Sequence, residues 1–306
     1  MSVYDLIVIG GGPAGLTAGL YASRAQMKTL VLERMMTGGQ AASTEWIENY
    51  PGFEQGVSGA ELASKMEAQA RRFGLEIATA AVTDVRTDEK PMSVVTDGGE
   101  ILARSLIIAT GSDPKKLNVP GEAEFRGKGV SYCATCDGPF FKEKDVVTVG
   151  GGSSGVQESL YLTRFVKSIR LVEFTDRLNA EKILQQRARE NGKISVFLSH
   201  RVISINGAKK VESVTVENRA DGTRSDFRAD GVFIWVGLKP NSEFLNGRLP
   251  LDAIGGILTD ADMATNIPGV FAAGDVRAKT VRQVSTAVGD ATIAAESALH
   301  YVESVL

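Results

Sequence analysis

The sequence predicts an α/β fold of two domains, the second inserted in the first, and three observations predict it. A glycine turn, Gly10-Gly11-Gly12-Pro13-Ala14-Gly15, follows an aliphatic run and opens a helical stretch. A second turn, Gly150-Gly151-Gly152-Ser153-Ser154-Gly155, repeats the arrangement 140 residues later, and in both an acid, Glu33 or Glu173, stands 23 positions after the first glycine. The chain then comes back, near its end, to a buried run closing on Gly274-Asp275. Strand, glycine turn, helix, strand and acid in register mark a dinucleotide-binding unit, so each copy reads as a Rossmann-like domain of the three-layer ββα/βαβ kind. At 306 residues the chain also exceeds what a single core usually serves.

Each element follows from its residues. Leu6 to Ile9 is the aliphatic heart of a strand over Tyr4 to Ile9, covered on both faces. A helix is expected from about Leu16 to Gln26 and a second strand over Thr29 to Leu32. Within the turn, Gly10 permits the sharp bend, Gly12 lets backbone approach a pyrophosphate, and Gly15 lets the helix close on the strand, while Glu33 can accept from an adenosine ribose. Gly38-Gly39-Gln40 and Glu48 to Phe53 read as loops from their glycine and proline. Leu62, Ala63, Met66 and Ala70 recur at helical spacing, so a helix is expected over Gly59 to Phe73. Alternation over Ile77 to Val85 and Ser93 to Thr96 predicts antiparallel strands. Ser105 to Gly111 is a buried strand ending in small residues, and the polar stretch Ser112 to Asn118 is the first crossover.

The second domain opens its βαβ unit with a strand over Asp145 to Val149, a helix from about Val156 to Phe165, and a strand over Ser168 to Val172. Strands near Ser195 to Leu198, Val202 to Ile205 and Val211 to Glu217 fill it, and Gly231 to Gly237 closes it. Leu238 to Glu243 is the return crossover, followed by a strand from Val270 and a helix over about Val284 to Val302. The expected domains are therefore 1–112 with 243–306, and 113–242.

Only two cysteines occur, Cys133 and Cys136, and they stand two residues apart beside Asp137. A pair at this spacing closes into an exchangeable disulfide, and its thiolates are nucleophiles. A structural zinc half-site and two buried small side chains are the other readings. Zinc asks for four ligands, and His200 and His300 are far away in sequence, so redox chemistry is expected and a metal is not. A lone exchangeable pair suits a reducing compartment. The net charge of −3 leaves no basic footprint, so nucleic acid is not an expected partner. No apolar run is long enough to span a bilayer and no leader is evident, so a membrane is not expected and the cytoplasm is.

Gly10 to Gly15 with Glu33, Gly38-Gly39-Gln40, Asn49-Tyr50-Pro51-Gly52, Ala109-Thr110-Gly111, Cys133-Ala134-Thr135-Cys136-Asp137-Gly138, Gly274-Asp275 and Arg282-Gln283 together resemble the low-molecular-weight, bacterial-type thioredoxin reductases over essentially the whole length. The resemblance implies a homodimeric flavoprotein that carries electrons from a nicotinamide cofactor through FAD to the Cys133–Cys136 disulfide and on to thioredoxin. It places FAD against Gly10, Gly12, Pro13, Ala14, Gly15, Glu33, Arg34, Gly39, Gln40, Asn49, Val82, Ala109, Thr110, Gly111, Gly274, Asp275, Arg282, Gln283 and Val284. It places the nicotinamide cofactor against Gly150, Gly152, Ser153, Ser154, Gly155 and Glu173. By the same pattern Cys136 faces the flavin, Cys133 engages thioredoxin, and Asp137 protonates the departing thiolate. The crossovers near Ser112 to Asn118 and Leu238 to Glu243 are the implied hinges about which the second domain turns.

One stretch departs from that pattern. Members that use NADPH carry a His-Arg-Arg run and a later arginine, where this chain has Glu173-Phe174-Thr175 and Asn179, with Arg177 the nearby cation. A carboxylate repels a 2′-phosphate and accepts from a 2′-hydroxyl, so NADH is expected over NADPH. The departure also keeps open a second reading, in which the nicotinamide site has lapsed and ferredoxin or another carrier reduces the flavin.

Overall fold

In a computed structural model that describes residues 3–306, the aliphatic runs become the strands that carry both glycine turns. β1 (Tyr4–Ile9) has Leu6, Ile7 and Val8 wholly hidden. α1 (Pro13–Arg24) starts earlier than the apolar pattern suggests, because Pro13 has the φ that a first helical residue needs and Gly12 caps it in an extended conformation. The helix also stops short of Gln26, which turns left-handed at φ 61°. β2 (Thr29–Glu33) and the short α2 (Gly39–Ala42) follow, the latter in a stretch expected to be loop. α3 (Gly59–Arg72) is capped by Ser58, whose hydroxyl accepts from Glu61 N–H.

β3 (Glu76–Thr79) corrects an expectation, since it lies parallel to β2, with Ile77 beside Val31. α3 supplies the crossover that a parallel return requires. β4 (Val82–Arg86), β5 (Met92–Thr96) and β6 (Gly99–Ile108) are antiparallel neighbours, as their alternation predicts. β7 (Ser112–Pro114) leaves the first unit.

The inserted unit begins with β8 (Val130–Ser131), α4 (Ala134–Asp137), β9 (Asp145–Val149), α5 (Ser153–Leu162) and β10 (Ser168–Val172). α6 (Lys182–Glu190), which the apolar pattern does not reveal, leads to β11 (Ile194–Phe197). β12 (His200–Asn206), β13 (Ser213–Asn218) and the unforeseen β14 (Arg224–Arg228) form a separate antiparallel sheet. β15 (Gly231–Ile234) completes a parallel sheet of order β11-β10-β9-β15-β8. β16 (Leu238–Pro240) pairs with β7. β17 (Val270–Ala272) then lies parallel to β6 in the first unit's sheet, whose main order is β3-β2-β1-β6-β5-β4, and α7 (Val284–Val305) ends the chain.

The division into units falls after Asp113 and after Leu238, where the sequence reading placed its breaks after 112 and 242. Each unit has its own Rossmann-like sheet. Among the described residues no helix is long and apolar enough to cross a membrane.

Candidate active site

Both glycine turns are built to the same close tolerances. Gly10 has φ +108°, and a Cβ there would stand 2.4 Å from Ala109 O; Gly150 has φ +119°, with Trp235 O at 2.0 Å. L side chains avoid that backbone region, and neither position has room for one. A Cβ at Gly15 would meet Gly10 O at 1.8 Å and one at Gly155 would meet Gly150 O at 2.1 Å, so each helix sits directly on its turn. The third position is open instead. Gly12 has only Gly39 Cα at 4.0 Å, and Gly152 has nothing within 4 Å. In each unit the acid reaches back to its turn: Glu33 Oε2 accepts from Gly11 N–H (2.7 Å), and Glu173 Oε2 accepts from Gly151 N–H (2.5 Å).

Of the other first-unit candidates, Ala109, Gly39 and Gly274 border this turn. Gly274 packs against Ala14, with 2.9 Å from a built Cβ to the alanine methyl. Pro13 opens α1, and Gly39 and Gln40 begin α2. Asn49 Nδ2 donates to Gln283 Oε1 (3.1 Å), joining residues 234 positions apart. Gln283 caps α7 in a reciprocal box with Thr286, so Val284 is its first helical residue. Arg34 pairs with Asp113 at 3.5 Å. Thr110 Oγ1 donates to Asn241 O (2.7 Å), and Gly111 follows at φ +66°. Val82 begins β4 just after Ala80, whose N–H donates to Glu33 O at 2.9 Å.

Asp275 Oδ1 and Arg282 Nη2 are both buried without a hydrogen-bond partner. Burial pushes the Asp275 carboxyl above its ordinary range and Asp290 adds to the rise, while Lys279 and Arg282 oppose it. An interior acceptor and an interior donor left open are unusual in a folded protein. Together with the open face at Gly12 they suit a ligand rich in hydroxyls and phosphates.

Sequence reasoning missed Asp290 on α7. Its carboxylate takes Arg277 Nη1 (2.9 Å), Lys279 Nζ (2.7 Å) and Gly274 N–H (3.1 Å), and so fixes the Gly274–Asp275 turn. The available signal was a lone acid in the first half of an alanine-rich helix.

In the second unit the acid is enclosed more tightly. Glu173 is 8% exposed, and its Oε1 also accepts from Thr175 N–H (2.8 Å) and Thr175 Oγ1 (2.7 Å). The following loop folds back on the turn, with Asn179 N–H donating to Gly151 O (2.9 Å) and Glu181 N–H to Ser153 Oγ (3.1 Å). Buried Gln185 on α6 holds that loop by donating to Leu178 O (3.1 Å) and Ala180 O (2.8 Å). Ser154 and Gly155 lie in the first turn of α5.

Cys133 and Cys136 are joined as a disulfide with 5.4 Å between their Cα atoms. Cys133 is the N-cap of α4 and is half-buried, while Cys136 is exposed. Cys136 N–H (3.2 Å) and Thr135 Oγ1 (3.2 Å) both address Cys133 Sγ. Ser131 Oγ accepts from Cys133 N–H at 3.0 Å and fixes the strand-to-helix corner. Asp137 closes the helix. Among the described residues no group of three or more His, Cys, Asp or Glu could hold a metal ion.

A chain with two dinucleotide cradles and a cysteine bridge at close spacing on one of those units is, by class, a disulfide oxidoreductase. Residues 4–291 match the model of the pyridine nucleotide-disulphide oxidoreductase family. The thioredoxin reductase of Bacillus subtilis (strain 168) is 47% identical over 305 residues, covering 99% of this chain and 96% of that protein. The crystal structure of Lactococcus lactis thioredoxin reductase matches with a TM-score of 0.96 at 44% identity, covering 98% of this chain and 99% of that one. That of T. acidophilum thioredoxin reductase matches with a TM-score of 0.95 at 35% identity over 100% of both chains. The chain belongs to the low-molecular-weight, bacterial-type thioredoxin reductases. Membership implies FAD and a pyridine nucleotide, NADH or NADPH, as cofactors, and the two cradles with their open third glycines fit such ligands.

Proposed function

We propose that the first unit holds FAD, that the second binds NADH in preference to NADPH, and that the protein reduces the disulfide of a thioredoxin through Cys133 and Cys136. Bound FAD supplies the two-electron relay between nicotinamide and cysteine bridge. In the first unit, Gly12 gives the pyrophosphate its approach, Glu33 keeps free acceptor sites for ribose hydroxyls, and Asp275 and Arg282 offer their unpartnered atoms to the ligand.

The observation that carries the coenzyme preference is Glu173. Its carboxylate is held by Gly151 and Thr175 beside the second glycine turn, and an acid in that position of a dinucleotide-binding unit accepts from a ribose 2′-hydroxyl. A carboxylate so held would repel the like charge of a 2′-phosphate. A 2′-hydroxyl donates to the remaining lone pairs instead. The reading in which ferredoxin or another carrier feeds the flavin is weakened by the second turn itself. Gly150, Gly152, Gly155 and Glu173 keep every tolerance of the first turn, which a lapsed site has no reason to retain.

On the thiol side, Cys133 is the attacking group, because Cys136 N–H and the Thr135 hydroxyl already point at its sulfur and stabilise a thiolate there. The Cys133 thiolate attacks one sulfur of the thioredoxin disulfide and expels the other, which takes a proton from Asp137. Cys136 then gives up its proton as it attacks Cys133 in the mixed disulfide, and the thioredoxin sulfur it expels takes that proton, releasing dithiol thioredoxin and restoring the bridge. A homodimer in the cytoplasm completes the reading.

The test is a comparison of kcat/KM for NADH and NADPH at fixed thioredoxin, with anaerobic stopped-flow bleaching of the flavin by each. NADH is expected to lead by at least about tenfold. A lead for NADPH overturns the preference, and no bleaching by either coenzyme points to the carrier-fed reading.

A further inference from the structure

We infer that the Phe174 ring, backed by Arg219, is the wall on which the adenine of the pyridine nucleotide stacks. The inference rests on the reading that the second unit binds such a nucleotide. Phe174 follows Glu173 directly, and it is 53% exposed where most large apolar side chains of this unit are hidden. One of its faces is already covered. The Arg219 guanidinium lies 3.6 Å from the ring centroid, the shortest cation–ring contact among the described residues.

That guanidinium is itself held in place. Arg219 Nη1 donates to Phe174 O (2.9 Å), Arg219 N–H donates to Ser199 O (2.7 Å), and Ser199 N–H donates to Thr175 O (2.8 Å). The turn between β13 and β14 is thereby stitched to the loop that follows the acid, and the ring is oriented before any ligand arrives. A cation on one face of an aromatic ring leaves the other for a flat π system.

The internal repeat indicates which π system. The offset of 140 residues that carries Gly10 to Gly150 and Glu33 to Glu173 carries Arg34 to Phe174. Both are exposed side chains immediately after an acid bonded to its own glycine turn. In the ligand's covalent order the purine comes directly after the ribose that such an acid accepts from. A flat apolar ring at the next residue suits that purine, and Arg219 is committed to the ring and to Phe174 O.

The test uses the holoenzyme with two reductants, NADH and reduced nicotinamide mononucleotide, which carries the same reducing ring and no adenosine. Phe174→Ala is expected to raise KM for NADH about tenfold, to change kcat less than about twofold, and to shift KM for the mononucleotide less than about twofold. Arg219→Ala is expected to give the same split at about threefold, and Phe174→Tyr to restore the NADH value. Equal shifts with both reductants, a fall in kcat with both, or no shift with NADH overturns the inference. If neither NADH nor NADPH bleaches the flavin of the unmutated protein, the parent reading fails and takes this one with it.

Discussion

At Asp275 the chain keeps a carboxylate where folding alone does not want one. Burial raises its pKa above the ordinary 3.8, and one oxygen has no partner. Between 3.8 and the raised value the folded protein binds more protons than the unfolded chain. Stability therefore falls as pH rises through that window, and above it the charge is a standing cost. Asp275→Asn removes the charge and nearly keeps the shape. The flavin-free protein is expected to melt higher at pH 7 when carrying this change, with its gain disappearing toward pH 4, while FAD dissociates about tenfold more readily. Differential scanning fluorimetry across that pH range, together with flavin fluorescence after dilution, reads both effects. A lower melting temperature at pH 7, or unchanged flavin retention, contradicts the role given to Asp275.

Two glycines three residues apart in the second turn, Gly152 and Gly155, separate what the turn does for folding from what it does for binding. A Cβ at Gly155 lies 2.1 Å from the backbone oxygen of Gly150, so Gly155→Ala must push α5 off its strand. The expected cost is about 1–3 kcal/mol in urea unfolding, with a higher KM for NADH following from the displaced helix. Gly152→Ala meets nothing within 4 Å and has φ −78°, so unfolding is expected to change by less than about 0.5 kcal/mol while KM for NADH rises. The opposite assignment of the two effects would refute this reading of the turn. Gly150 and Gly155 were legible in the sequence because a positive φ at one and the closeness of the Gly150 oxygen at the other leave no other residue for them, and Gly152 because it completes their spacing; runs such as the aliphatic Leu6 to Ile9 and the β-branched Val146 to Val149 were legible because only a strand covered on both faces takes them. α6 was not, since Lys-Ile-Leu-Gln-Gln-Arg-Ala-Arg-Glu buries only Leu184, Gln185 and Ala188. β14 was missed because only Phe227 turns partly inward, and α4 is too short to show a period. The direction of β3 depends on the crossover before it, which alternation within the strand does not encode. The loop that closes on Gly151 and Ser153 does so largely through main-chain N–H groups of Asn179 and Glu181, which carry no side-chain signature.

The insertion of one unit in the other is closed at both levels. In the first unit, Asn241 N–H donates to Gly111 O (3.0 Å) and Asn241 Nδ2 to Thr110 O (3.1 Å), so the outgoing and returning chain ends are fastened side by side. In the second, Lys115 N–H donates to Gly237 O at 2.9 Å and does the same for its own ends. The first unit buries Leu6, Val8, Val31 and Ile107 with Ala291, Ala294 and Ala298 of α7. The second buries Val130, Val147, Val214 and Val232 in one cluster and Leu162, Ile169 and Phe233 in another. A segment with adjacent ends, its own core and a length near the usual domain size of about 100–150 residues has what it needs to fold alone. Residues 114–238 expressed as a fragment are therefore expected to unfold cooperatively in urea and to bind NADH by calorimetry, with the cysteine bridge intact. The complementary fragment, with 114–238 replaced by a short glycine-rich linker between Asp113 and Lys239, is expected to purify yellow with FAD and to reduce no thioredoxin. If the inserted fragment shows no cooperative transition, or the linked fragment takes up no flavin after reconstitution, the units depend on one another for folding and the insertion is not the modular arrangement that the fastened chain ends imply.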